Sequence, residues 1–160
     1  MTVVRAATEA DVPGLRAIGT RTWPTAYAFA GDDYVEYGLD RWWSEEAVRR
    51  GVETMTTLVA DDGGELIGMA GLDTSNEIAI LWKLYVVPER QGQGIGSLLL
   101  REVLDHVPAE TDRLRLDVTD GNTAARAFYA ARGFAEVDRQ GPDRPGWPDT
   151  IWLEAAVPGH

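Results

Sequence analysis

The chain has 160 residues, 44% of them apolar, with 26 acidic side chains against 15 basic ones and a formal net charge of −11; that size supports one core, and that charge is the wrong sign for gripping nucleic acid. Cysteine is absent and only His106 and His160 supply imidazole, which excludes disulfides and thiolate nucleophiles and argues against a metal site. No apolar run approaches the roughly 18 residues of a spanning helix and the N-terminus lacks signal-peptide features, so a soluble, cytoplasmic protein with no membrane partner is expected.

Val3 to Ala6 reads as a first strand, after which Thr8-Glu9-Ala10-Asp11 resembles a capping box that starts a helix. Val12, Leu15, Ile18 and Trp23 recur at helical spacing until Pro24 and the stretch through Gly31 break the pattern, predicting a loop. Tyr34 to Arg50 reads as a second helical region, weakened in its middle by Gly38. From Thr54 the period changes to that of strands, with a first strand at Thr57–Ala60 and Asp61-Asp62-Gly63-Gly64 as the turn of a hairpin ending at Leu72. Glu77 to Val87 is a nearly continuous apolar run and predicts a central strand buried on both faces. A helix from Gly94 to Val107, a strand at Leu114–Val118, a helix from about Asn122 to Arg132 and closing strands at Phe134–Asp138 and Thr150–Ala156 follow. The order β-α-α-β-β-β-α-β-α-β-β predicts one α/β domain over residues 1–157, a mixed, mostly antiparallel sheet of about seven strands with helices on both faces. Pro158-Gly159-His160 is expected to be a tail.

The chemistry concentrates where the central strand leaves through Pro88-Glu89-Arg90 into Gln91-Gly92-Gln93-Gly94-Ile95-Gly96-Ser97. A strand running into a bulk-free loop and straight into a helix presents free N–H groups at the positive helix end. These can hold a pyrophosphate without basic side chains. A dinucleotide-binding fold, with Asp117 as its ribose acid, requires G-x-G-x-x-G and a second half for which too little chain remains. A phosphate-hydrolysing loop requires a Gly-Lys-Ser/Thr that is missing.

The segment resembles the GNAT superfamily of N-acetyltransferases, whose signature Q/R-x-x-G-x-G/A is matched by Gln91, Gly94 and Gly96. Downstream, Asn122 to Phe134 is similar to the family's N-x-x-A-x-x-F-Y-x-x-x-G-F, in the same order and spacing. The resemblance is strong from the hairpin onward; in the N-terminal half it extends only to the order of elements. It implies acetyl-CoA as donor, with the main chain of Val86 and Val87 pairing with pantetheine and Gln91, Gly92, Gln93, Gly94, Ile95, Gly96 and Ser97 wrapping the pyrophosphate. Asn122 would bind the pantetheine arm or cap its helix. Tyr129 would protonate the departing thiolate, or serve as a core aromatic beside Phe128.

The resemblance further implies direct transfer of acetyl to a primary amine, without a covalent enzyme intermediate and without a metal. An alkylamine of pKa about 10.4 is neutral roughly once in 2,500 molecules at pH 7, a penalty of about 4.6 kcal/mol, so a base helps. Glu77 is the candidate base, with Asp73 as the alternative. Trp23 to Tyr27, with Asp32, Asp33, Tyr34 and Glu36, would line a small-molecule acceptor site suited to a cationic amine or polyamine. A peptide or protein N-acetyltransferase, or a non-catalytic acyl-CoA sensor, would share the cofactor residues. A homodimer is left open.

Overall fold

The structure, a computed structural model, describes residues 1–157, so the expected tail lies outside the described residues. Strand β1 (Thr2–Ala6) is followed by the anticipated capping box, in which Thr8 N donates to Asp11 Oδ2 at 2.8 Å. One 3-10 turn at Glu9–Asp11 leads into α1 (Val12–Ala26). Pro24 does not end this helix, contrary to the expectation from sequence. A proline inside a helix costs about 3 kcal/mol. Its neighbours Trp23 and Tyr27 are 4% and 7% exposed. Burying two side chains of roughly 150–250 Å² at about 25 cal/mol per Å² outweighs that cost.

The second helical region is two helices, α2 (Asp32–Trp42) and α3 (Glu45–Thr54). Ser44 separates them: its Oγ accepts from Ala47 N at 3.2 Å and caps α3. Gly38, rather than merely weakening this region, lets α2 approach α1. A Cβ at that position would lie 2.0 Å from the Trp23 ring.

Strands β2 (Thr56–Asp62) and β3 (Glu65–Asp73) form the hairpin, turning at Gly63 and Gly64 with φ of 62° and 102°. The remaining elements are β4 (Ala79–Val86), α4 (Ile95–His106), β5 (Arg113–Thr119), α5 (Thr123–Ala130), β6 (Ala135–Gln140) and β7 (Thr150–Ala156). The seven strands lie in the order β1-β2-β3-β4-β5-β7-β6. Every adjacent pair is antiparallel except β4 and β5. Leu15 and Ile18 of α1, Leu99 of α4, and Ile67, Leu72 and Leu114 of the sheet are fully buried and centre the core.

The parallel pair is short. β4 meets β5 only over Ala79–Leu81 against Leu114–Leu116, whereas its pairing with β3 continues to Val86. Beyond Leu81 the two central strands diverge. Double-sided burial of β4 therefore fails past this point: Ala79 and Leu81 are 1% and 2% exposed, but Trp82 is 42% exposed. The divergence opens a gap between them along the outer half of β4.

Candidate active site

Val87 N donates to Ile67 O at 2.9 Å, which makes the Gly68 and Val86 pair of β3 and β4 a non-hydrogen-bonded one. The amide and carbonyl of Val86 therefore point away from β3, into the gap left by β5. The Val86 carbonyl receives Gln91 Nε2 at 3.0 Å, and Val86 lines a cleft of about 740 Å³. Val87 does not belong to this wall. Its amide is spent on β3 and its side chain is fully buried, which corrects the expectation that it would pair with a ligand.

Gln91, Gly92, Gly94, Ile95, Gly96 and Ser97 line the mouth of the same cleft. Gly92 and Gly94 have φ of 78° and 81°, and Gly94 in the left-handed region is the N-cap of α4. Left-handed backbone there favours glycine. Leu98 N takes up Gly94 O. Among the described residues, no hydrogen-bond acceptor is found for the amides of Gly92 through Ser97. They form a bulk-free cradle of N–H groups at a helix start, which fits a diphosphate. Gln93 accepts from Arg90 Nε at 3.0 Å and lies outside the cleft wall.

Opposite stands α5. Asn122 Oδ1 accepts from Ala125 N at 3.3 Å and caps the helix, and the residue also lines the cleft. Tyr129 packs edge-on against Phe128 and Phe134 and is 8% exposed. Burial, reinforced by Tyr27 and Asp117, holds its phenol well above the ordinary value. Among the described residues that hydroxyl has no hydrogen-bond partner, so its proton is available to a ligand in the cleft. Arg132 also lines the cleft: it donates to Ser97 Oγ at 2.6 Å and lies 3.7 Å from the Phe128 ring centre. It puts a cation beside the amide cradle. Sequence reasoning misses it, because nothing local distinguishes it from a surface arginine.

A second cavity of about 600 Å³ joins the first through four shared residues, Tyr27, Trp82, Tyr85 and Asp117. All six tryptophans of the chain line it. Tyr27 and Tyr85 pair their hydroxyls at 3.1 Å, and Tyr34 meets Thr119 Oγ1 at 3.0 Å. Burial pushes Tyr27 up to about 12, against the opposing effect of its hydrogen bond with Tyr85. Asp117, on β5 where the strands part, makes no ion pair among the described residues. Burial pushes its carboxyl up to about 6.

The expected bases lie elsewhere. Glu77 occupies an exposed bend before β4 and lines neither cavity. Asp73 is held locally by Ser75 N and Oγ and by Trp82 Nε1, which keep its carboxyl below the usual range. Of the acidic group expected to line the acceptor side, Asp33 and Glu36 face a separate surface depression with Arg16 and Thr20. Asp32 is exposed and lines neither cavity. Only Tyr34 of that group reaches the aromatic pocket. The acceptor side is therefore not walled by these carboxylates. Among the described residues no cluster of three or more His, Cys, Asp or Glu could hold a metal ion, and no helix is long and apolar enough to cross a membrane.

A diphosphate cradle, a strand edge opened beside it and a second pocket that meets the first at Asp117 make up the site. A model of the Acetyltransferase (GNAT) family matches residues 15–134, and the chain belongs to that family. It is 37% identical over 82 residues to the N-alpha-acetyltransferase RimI of Mycobacterium tuberculosis, a match covering 49% of this chain and 51% of that protein. The chain spans between half and two-thirds of the length of the curated relatives it matches, 51% and 63%. Several solved structures share the fold. A PaiA N-acetyltransferase from Thermoplasma acidophilum in complex with coenzyme A is 23% identical at a TM-score of 0.84, with 98% of this chain and 99% of that one covered. A ribosomal-protein-alanine N-acetyltransferase from Brucella melitensis is 27% identical at 0.71, with 97% and 99% covered.

Proposed function

We propose that this chain is a cytoplasmic enzyme that moves an acetyl group from acetyl-CoA directly to the primary amine of a small molecule held in the aromatic pocket. The carrying observation is that the two cavities meet at Asp117, beside Tyr27 and Tyr85. The amides of Gly92 to Ser97, with Arg132, hold the diphosphate. The outward main chain of Val86 aligns the pantetheine arm and polarises the thioester carbonyl. The amine nitrogen attacks that carbon; as the N–C bond forms, Asp117 takes the nitrogen's proton. The C–S bond then breaks and the Tyr129 hydroxyl gives its proton to sulfur. Water resets both side chains, and amide and free thiol leave.

Asp117 suits this role because a carboxyl pushed up to about 6 is ionised at neutral pH yet more basic than an ordinary one. Tyr129 suits its role because burial keeps the phenol protonated until sulfur departs.

A second reading, transfer to the N-terminus of a protein, is favoured by the names of the Mycobacterium tuberculosis and Brucella melitensis relatives. The test is calorimetry with acetyl-CoA followed by thiol release over a panel of small amines and peptides. Turnover confined to peptides overturns the small-molecule acceptor. Failure to bind acetyl-CoA overturns the donor site.

A further inference from the structure

The chain holds fourteen arginines and one lysine, and that lysine, Lys83, lines the aromatic pocket. Its Nζ donates to Trp42 O at 2.5 Å and lies 4.0 Å from the centre of the Trp43 ring. Among the described residues it has no carboxylate partner. Burial lowers its ammonium to about 8. Two further cations line the same pocket without an ion pair among the described residues, Arg41 and Arg144, each held only over aromatic rings. Arg50 is there too, paired with Glu46. The carboxylates of the wall are Asp117 and Asp143. The indole N–H groups of Trp23 and Trp43, both lining residues, are buried without an acceptor.

In a protein of net charge −11, this pocket reverses the sign of its surroundings and offers more donors than acceptors. A half-buried cation without a counter-ion carries a desolvation cost, and a bound anion lowers it. We propose that the acceptor is an amine that also carries a carboxylate, joined by an apolar or aromatic body: the amine meets Asp117, the carboxylate meets Lys83, and the tryptophans clasp the middle. This rests on reading the pocket as the acceptor site, and it replaces the polyamine expected from the sequence.

Two matched pairs test it: 4-(aminomethyl)benzoate against 4-methylbenzylamine, and 6-aminohexanoate against hexylamine. Binding is followed by quenching of intrinsic tryptophan fluorescence, independently of turnover, with acetyl-CoA present and absent. At least one acid binds about tenfold or more tighter than its partner with a methyl in place of the carboxylate, the effect of a charge-assisted contact. Lys83→Met removes that preference by weakening the acid alone, and Lys83→Arg restores most of it. Equal or tighter binding of both simple amines, no quenching by either acid at millimolar concentration, or an unchanged preference in Lys83→Met overturns the assignment. If an acid binds as described but no amine yields free thiol, the transfer reading fails and the anion site stands. If simple amines and acids release thiol equally well, transfer stands and the anion site fails.

Discussion

Replacing Asp117 by Asn should make the protein more stable and less active at once, with a pH dependence that only this carboxyl can impose. Asn matches the neutral acid in shape. A carboxyl raised on folding from 3.8 to about 6 costs the native state, at 1.36 kcal/mol per pH unit, about 3 kcal/mol once ionised. Because the folded value is the higher one, the penalty is absent below about pH 4, grows as pH rises through the interval to 6, and is constant above. Urea unfolding of Asp117→Asn against the native chain should therefore show a gain of about 3 kcal/mol at pH 8 and about half that at pH 5. The same change should lower turnover by about 10²–10⁴ at neutral pH, the usual worth of a positioned base. A stability difference that does not vary between pH 5 and 8 contradicts the raised carboxyl, and a variant retaining full turnover contradicts its role as base.

Tyr129→Phe keeps the edge-on packing and removes only the hydroxyl, so kcat should fall about a hundredfold while calorimetry shows unaltered acetyl-CoA affinity. Gly94→Glu places a long, anionic side chain at φ 81° beside the cradle, and acetyl-CoA binding should weaken by about a hundredfold or more in a variant whose circular dichroism remains native. Gly38→Ala drives a methyl into the Trp23 ring, and urea unfolding should record a loss of about 1–3 kcal/mol.

The loop from Gln91 to Ser97 is legible in the sequence because its conformation is local: Gly92 and Gly94 adopt positive φ, and a helix begins there whatever the rest of the chain does. Asn122 at its helix start and the hairpin at Gly63-Gly64 are legible for the same reason. Pro24 misleads because its penalty is local while the compensation, burial of Trp23 and Tyr27, comes from α2 and the sheet. The break at Ser44 is masked by apolar spacing that runs across it. Glu77 reads as the first residue of β4, but pairing begins only at Ala79, leaving Glu77 in a solvent-facing bend. In the sequence Asp117 reads as a strand acid that at most imitates the ribose acid of a dinucleotide fold. Its importance follows from β5 leaving β4 after Leu116, a divergence between partners far apart in sequence. Lys83 carries no local signal either, since its contacts with Trp42 and Trp43 span about forty positions.

Sheets commonly expose unsatisfied main chain at their rims, where a passing strand can attach and start aggregation. Here the unused edge of β4 lies in the middle of the sheet, flanked by β5 and roofed by side chains of α5. A thin, flexible guest that carries its own amides can slide into such a slot, whereas another polypeptide of full width is shut out. The divergence of two central strands thus gives the protein a sticky template that is safe in a crowded solution.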